Sequence, residues 1–300
     1  MSQRTKLLFG LLCCLAVSTG CRPATASSSP TAPDHAELID IGARKLQFLM
    51  RGEGAPTVII EAGMGEPGVE SGTWRTVVDE ISKTNRVCLY DRAGLGKSDA
   101  APKLPRTSHD VANDLNALLT HAHVPGPYVL VGHSYGGMHV RMFASQFPDK
   151  VIGMVLVDSA HPDQDARWLA ALPPPAPNES ESIQRARQFL AGRSDPAANP
   201  ERIDPKASEA QVRGALPLGN KPVVILSHSS KYRLDPRLPE QVSLKLEALC
   251  QQMQADLKQT SSNSTLHQSA SGGHYLQTED PELVIQGIRE ALDTAKKRMD

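Results

Sequence analysis

The sequence has almost no net charge, few cysteines and no hydrophobic run long enough to cross a bilayer. Its formal net charge is −1 at pH 7, without a basic segment, so nucleic acid is not an expected partner. Three of the five cysteines, Cys13, Cys14 and Cys21, lie within the first 21 residues. The other two, Cys88 and Cys250, lack metal-site spacing. We expect two buried thiols, with a Cys88–Cys250 disulfide as the alternative.

The most apolar segment has the form of an export signal. Arg4 and Lys6 precede the apolar residues 7–17, a run too short to span a membrane. Small residues at 18–20 then lead to Cys21, an ending that resembles a bacterial lipobox, in which the cysteine receives lipid. Ser18 departs from that pattern, where leucine is usual. An ordinary signal peptide cleaved nearby and a buried amino-terminal helix are the alternatives.

The domain boundaries follow from composition. Residues 1–21 read as the signal peptide, and residues 22–35, rich in Ser, Ala, Thr and Pro, as a flexible tether. Residues 36–300 suit one large domain. We therefore expect a protein exported to the bacterial cell envelope and held at a membrane by lipid on Cys21, facing the periplasm. A soluble periplasmic or secreted protein is the alternative.

A serine between glycines follows a short apolar run. Residues 129–131 have the character of a buried parallel strand, and the apolar spacing after Gly137 suits a helix. Between them, residues 132–136 read GHSYG and match the G-x-S-x-G nucleophile elbow, which lifts a serine hydroxyl above the sheet. Ser134 is the predicted nucleophile, and the Tyr135 N–H is predicted to stabilise developing negative charge. The alternative is a chance glycine-rich turn.

Three motifs together carry a family resemblance. Residues 90–99 (YDRAGLGKSD), residues 132–137 (GHSYGG) and residues 271–282 (SGGHYLQTEDPE) resemble the α/β-hydrolase superfamily, and the similarity extends over roughly residues 36–296. The resemblance implies an α/β fold with a mostly parallel eight-stranded sheet and helices on both faces. It also implies that residues 160–219 form a small cap over the serine; a surface excursion without a substrate role is the alternative.

The resemblance assigns the second oxyanion donor to a glycine-dense loop. A compact apolar strand over residues 57–61 is followed by residues 62–68, AGMGEPG, which we call the glycine loop. We assign the donor to the N–H of Met64, with Gly65 as the neighbouring alternative. A simple turn would give the same sequence pattern.

The general base is predicted at His274. A serine hydroxyl needs a base to take its proton, and the family places that base on a loop after the last strand. His274 lies in such a glycine-containing loop. His228 and His267 are competing candidates for the base. However, His228 ends a strand and is not followed by a glycine-containing loop, and His267 lies inside a strand.

Two carboxylates are candidates for the acid that orients the base. Family members most often carry it after the seventh strand, here near residues 222–226, yet no carboxylate follows until Asp235. A minority carry it after the sixth strand, where Asp158 directly follows residues 155–157. Asp158 is the preferred acid and Asp235 is the alternative. A third hypothesis is that neither carboxylate orients the base.

These residues predict a serine hydrolase that cleaves a carboxylic ester or related acyl bond of a small molecule without a cofactor or metal. Ser134 at the elbow argues against the epoxide hydrolases and haloalkane dehalogenases, which use an aspartate there. Peptidase, thioesterase, lactonase and acyltransferase chemistry would use the same groups. A non-catalytic binding lipoprotein with this fold is the alternative from another class. The sequence does not indicate an oligomeric state.

Overall fold

The computed structural model describes residues 36–42, 44–232 and 235–298. The predicted signal peptide, lipidation site Cys21 and tether lie outside these ranges. Within them, no helix combines the length and apolar character that a membrane span requires.

The core is one eight-stranded sheet with the strand order β1-β2-β4-β3-β5-β6-β7-β8. The strands are β1 (Glu37–Asp40), β2 (Lys45–Arg51), β3 (Thr57–Glu61), β4 (Val87–Tyr90), β5 (Tyr128–His133), β6 (Val151–Val157), β7 (Val223–Ser227) and β8 (Ser264–Gln268). The β1–β2 and β2–β4 pairs are antiparallel, and all other neighbours are parallel. The predicted mostly parallel sheet is confirmed.

Helices cover both faces of the sheet. The helices are α1 (Arg75–Ile81), α2 (Ser108–His121), α3 (Gly136–Gln146), α4 (Gln164–Ala171), α5 (Glu181–Gly192), α6 (Pro205–Arg213), α7 (Glu240–Asp256), α8 (Leu276–Glu279) and α9 (Pro281–Lys296). Helices α2 and α3 pack in one hydrophobic core, and α1 and α9 pack in the other.

Alternate residues of the central strands supply the two cores. In β5, Leu130 belongs to the core with α2 and α3, whereas Val129 and Val131 belong to the core with α1 and α9. Successive side chains of a strand point to opposite faces, so a continuous apolar run is needed where both faces are covered. This is why residues 129–131, in the middle of β5, are all apolar.

Helices α4, α5 and α6 lie between β6 and β7, in the segment predicted as a cap. Trp168 of α4 and Leu190 of α5 share a small apolar cluster with Met253 of α7. Helix α6 ends at Arg213, because Gly214 follows as its C-cap, and it begins after Asp204, whose carboxylate accepts the Ala207 N–H.

The two cysteines of the described domain are buried thiols, as expected. Cys88 lies in β4 with 1% of its surface exposed. Burial raises the pKa of the Cys88 thiol to about 12, so this residue behaves as a small apolar side chain.

Candidate active site

Ser134 occupies the sharp turn between β5 and α3. Its φ of 52° lies in the left-handed region, a strained conformation for a residue other than glycine. The Ser134 N–H donates to the Val157 carbonyl at the end of β6, 3.0 Å away. A Cβ at Gly132 would lie 2.8 Å from the Gly136 carbonyl, and a Cβ at Gly136 would lie 2.4 Å from the Glu61 carbonyl. Glycine at both positions therefore permits the turn.

The structure brings Ser134, His274 and Asp158 into one hydrogen-bonded series. His274 Nε2 lies 2.9 Å from Ser134 Oγ, and His274 Nδ1 lies 2.5 Å from Asp158 Oδ2. Because a carboxylate only accepts, Nδ1 carries the imidazole proton and Nε2 is left to accept the Ser134 proton. A serine activated for nucleophilic attack requires this arrangement.

Asp158 comes directly after β6, and its backbone is also in the left-handed region, with a φ of 39°. The Asp158 N–H donates to the Leu226 carbonyl of β7 at 2.7 Å. The alternative acid, Asp235, makes different contacts. Its carboxylate accepts from the Arg237 backbone N–H and guanidinium at 2.8–2.9 Å. Asp158 is therefore the carboxylate that contacts His274.

The second oxygen of Asp158 contacts a histidine for which the sequence indicated another role. His228 Nδ1 lies 2.5 Å from Asp158 Oδ1, and the His228 backbone N–H lies 3.3 Å from the same oxygen. The ring is fully buried, and its Nε2 lies 3.4 Å from Oε1 of the buried Glu247 of α7. The sequence suggested His228 as a competing base, but the structure places its ring against Asp158.

The environment of Asp158 favours the ionised form. The residue is 2% exposed, and burial by itself would raise its pKa. Hydrogen bonds from His228 and His274, with the attraction of both rings, outweigh this effect and hold the pKa of Asp158 well below its ordinary range. The carboxylate is thus available to accept two imidazole protons.

His133, the residue before the nucleophile, connects two loops of the site. Its Nε2–H donates to the His274 carbonyl at 2.8 Å, and its Nδ1 lies 3.5 Å from the Glu66 carboxylate. Glu66 in turn accepts the Gly63 N–H at 3.2 Å, within the glycine loop. This position is variable in the elbow motif, so sequence reasoning had no signal for His133. In this fold His133 connects the loop that carries His274 to the glycine loop.

The glycine loop lies against the N-terminus of α3. A Cβ at Gly136 would be only 2.5 Å from the Ala62 carbonyl, which shows how closely the two segments approach. The Gly65 N–H donates to Glu201 Oε1 at 2.6 Å, so the alternative oxyanion donor is already engaged. In the part of the chain that the structure describes, the N–H groups of Met64 and Tyr135 donate to no protein acceptor.

Curated relatives match this chain to different extents. The uncharacterised protein YqjL of Bacillus subtilis (strain 168) is 26% identical over 238 residues, which cover 79% of this chain and 84% of that protein. A protein of Hormonema carpetanum named "Probable transporter efuK" is 37% identical over 141 residues, 44% of this chain. The match spans only 20% of the efuK length.

Solved structures and a family model agree with the observed fold. A thermophilic esterase from Thermogutta terrifontis superposes with a TM-score of 0.58 at 22% identity, covering 87% of this chain and 99% of the esterase. The mouse α/β-hydrolase domain-containing protein 10 gives 0.56 at 19% identity, covering 86% and 98%. The family model of the α/β-hydrolase fold matches residues 56–245, more than half of the sequence. With its sheet, elbow and strand order, the chain belongs to the α/β-hydrolase-fold family.

Proposed function

We propose that the protein is a serine hydrolase that cleaves a carboxylic ester or a related acyl bond of a small molecule through an acyl-enzyme on Ser134. The observation that carries the proposal is the continuous series of hydrogen bonds from Ser134 Oγ through His274 to Asp158. The fold similarity to an esterase is consistent with this chemistry.

The geometry supports a two-step reaction. His274 Nε2 takes the Ser134 proton as Oγ bonds to the acyl carbon, and Asp158 stabilises the imidazolium that forms. We assign the N–H groups of Met64 and Tyr135 to the oxyanion of the tetrahedral intermediate. His274 then gives this proton to the leaving group as its bond to the acyl carbon breaks, and the acyl carbon remains bonded to Oγ. In the second step His274 takes a proton from water, whose oxygen bonds to the acyl carbon. The bond from the acyl carbon to Oγ then breaks, His274 returns the proton to Oγ, and the free acid leaves.

A fluorophosphonate probe tests the nucleophile. The wild-type protein should be labelled at Ser134, and Ser134→Ala should abolish labelling while leaving the circular dichroism spectrum unchanged. Ser159→Ala is the matched control, because Ser159 is a buried serine close to the site, one residue after Asp158. The Ser159 hydroxyl donates to the Ala160 carbonyl. Labelling that survives Ser134→Ala, or a wild-type protein that does not react, would refute the proposal.

Turnover separates the enzyme from a non-catalytic relative and narrows the substrate class. Short p-nitrophenyl esters should be hydrolysed well above the Ser134→Ala background. A panel of esters, thioesters, lactones and amides, compared by kcat/KM, would rank the acyl bonds. Turnover equal to the Ser134→Ala background across the panel would favour the binding lipoprotein.

We also propose that lipid on Cys21 anchors the mature protein to a membrane of the cell envelope. The proposal depends on the sequence of residues 1–35, in which a short apolar run ends at Cys21 and a Ser/Pro-rich segment follows. Several acyl chains on one cysteine would anchor stably, whereas a single chain would not.

A further inference from the structure

A buried cluster of charged groups lies beneath the glycine loop. Arg92, which follows β4, is 2% exposed and forms ion pairs with Glu61 and Glu201, which are 1% and 2% exposed. Arg92 Nη1 lies 2.6 Å from Glu61 Oε1, and Arg92 Nε lies 2.5 Å from Glu201 Oε2. Tyr90 donates its hydroxyl to the other Glu61 oxygen at 2.6 Å. Glu61 ends β3, while Glu201 lies in the segment between β6 and β7.

The same cluster fixes the backbone on both sides of Met64. Arg92 Nη1 donates to the Ala62 carbonyl at 2.8 Å, and Arg92 Nη2 donates to the Gly63 carbonyl at 2.5 Å. On the other side, Glu201 Oε1 accepts the Gly65 N–H at 2.6 Å and also bonds Arg92 Nη2 at 2.8 Å. The Arg92–Glu201 ion pair thus holds three backbone groups near the Met64 N–H, those of Ala62, Gly63 and Gly65.

Arg92 uses its full donor capacity in this cluster. A guanidinium has five N–H donors in a rigid fork, and the five hydrogen bonds from Nε, Nη1 and Nη2 go to Glu61, Glu201 and the two carbonyls of the glycine loop. Lysine, with three donors on one nitrogen, could not make the same set. Burying these charges is costly, and a buried ion pair is weak evidence for stability alone. The contacts instead specify the backbone conformation of the glycine loop.

We propose that Arg92 and Glu201 are positioning residues that hold the glycine loop where the Met64 N–H can stabilise the tetrahedral intermediate. Because Glu201 belongs to the segment between β6 and β7, the oxyanion site is complete only when this segment is seated against the loop. The inference rests on the proposed function, since it concerns the same Ser134 site.

The test compares ground-state and transition-state interactions in Glu201→Gln and Arg92→Lys. An amide at position 201 keeps the side-chain volume but turns one acceptor into a donor facing Arg92 or the Gly65 N–H. Removing one oxyanion donor costs other enzymes about 10² to 10³ in kcat, and a displaced donor should cost less. We therefore expect kcat to fall roughly 10- to 100-fold, with KM changing less than about threefold.

A tetrahedral inhibitor separates positioning from a merely structural role. An aryl trifluoromethyl ketone forms an adduct with the serine whose oxyanion occupies the proposed site, so its Ki should rise in proportion to the loss of kcat/KM. The matched control is Glu179→Gln, because Glu179 also forms an ion pair in this segment, with Arg187 at 2.5 Å. This variant should keep kcat and Ki within about threefold of wild type, because the side-chain partner of Glu179 among the described residues is Arg187 and not the glycine loop.

Two outcomes would overturn the inference without touching the proposed function. One is an active wild-type protein whose Glu201→Gln and Arg92→Lys variants keep kcat and Ki while only Tm falls. The other is an equal loss in Glu179→Gln. If circular dichroism shows that either variant does not fold, Glu201→Asp replaces it, because aspartate keeps the charge but shortens the side chain. Its Ki for the trifluoromethyl ketone should then rise, and an unchanged Ki would overturn the inference. A wild-type protein inert to esters and to the fluorophosphonate would instead refute the proposed function.

Discussion

Replacing Asp158 by asparagine should nearly abolish turnover while leaving the fold intact. Asp158 accepts ring protons from two histidines, His274 and His228, at 2.5 Å each. Asparagine offers one oxygen and one NH₂ group, so only one histidine can keep an acceptor. The His228 backbone N–H also points at Asp158 Oδ1, which favours placing the amide oxygen there and the NH₂ group against His274.

The expected magnitude follows from the tautomer of the base. With an NH₂ group at Nδ1, His274 must accept there and carry its proton on Nε2, where it can no longer take the proton of Ser134. In serine hydrolases this change lowers kcat by roughly 10³ to 10⁴, equivalent to about 4 to 5.5 kcal/mol of transition-state free energy. KM should change little, since substrate binding does not require the base.

Steady-state kinetics on a p-nitrophenyl ester, with circular dichroism to verify folding, would measure the effect. Asp235→Asn is the matched control, because Asp235 contacts Arg237 and should leave kcat within about threefold of wild type. A folded Asp158→Asn protein with more than a tenth of the wild-type kcat would refute the role of Asp158. If Asp235→Asn instead caused the large loss, the acid would be Asp235.

Three further predictions concern the surroundings of the site, the stability and the location of the protein. His228→Asn should lower kcat roughly tenfold at constant KM, because the Asp158 carboxylate loses a hydrogen bond and a hydrogen bond to a charged group is worth about 1.5 to 3 kcal/mol. The control His267→Asn changes an exposed histidine and should leave kcat unchanged. Equal kcat in the two variants would contradict the role of His228 in holding Asp158. Burial, with the nearby arginine charges, lowers the pKa of His161 to about 4. Between pH 6.5 and 4 the unfolded chain therefore binds more protons at this residue than the folded protein does. Stability should therefore fall between pH 6.5 and 4 by about 1 kcal/mol per pH unit, less than the full linkage slope because the ring is partly exposed. Denaturant melts should show this loss diminished in His161→Gln but not in the exposed His121→Gln. Cys21→Ala should move the protein from the membrane to the soluble fraction and remove labelled palmitate; an unlabelled, soluble wild type would indicate an ordinary exported protein.

The sequence predicted the fold and the three residues of the central hydrogen-bond series because their signals are local. Ser134 and Asp158 each follow an apolar strand directly, and His274 lies in a loop whose glycines are visible in the chain. The choice between Asp158 and Asp235 needed the structure. His228 follows β7, where the family resemblance led us to expect the acid, and only the folded arrangement shows that it contacts Asp158 Oδ1, whereas His274 contacts Oδ2.

The buried cluster of Glu61, Arg92 and Glu201 that holds the glycine loop could not be predicted, because its members are distant in sequence. Glu61 and Glu201 are separated by 140 positions, and neither lies in a pattern that indicates a buried ion pair. Arg92 was visible only as part of a family motif. Which polar side chains meet inside a core depends on strand order and on the path of the segment between β6 and β7, and neither is a local property.

The position of Asp158 directly after β6 has a consequence for the rigidity of the site. The Ser134 N–H bonds the last carbonyl of β6, at Val157, and the Asp158 N–H bonds Leu226 of β7, so the sheet itself fixes both strained residues. Their separation therefore depends on strand register rather than on a flexible loop. His274 comes instead from the loop after β8 and must reach back across β7 and β6 to Ser134. Its backbone is held there by side chains, including His133, which donates to the His274 carbonyl. The backbone of the sheet thus sets the positions of Ser134 and Asp158, whereas the position of His274 depends on the hydrogen bonds that surround its loop.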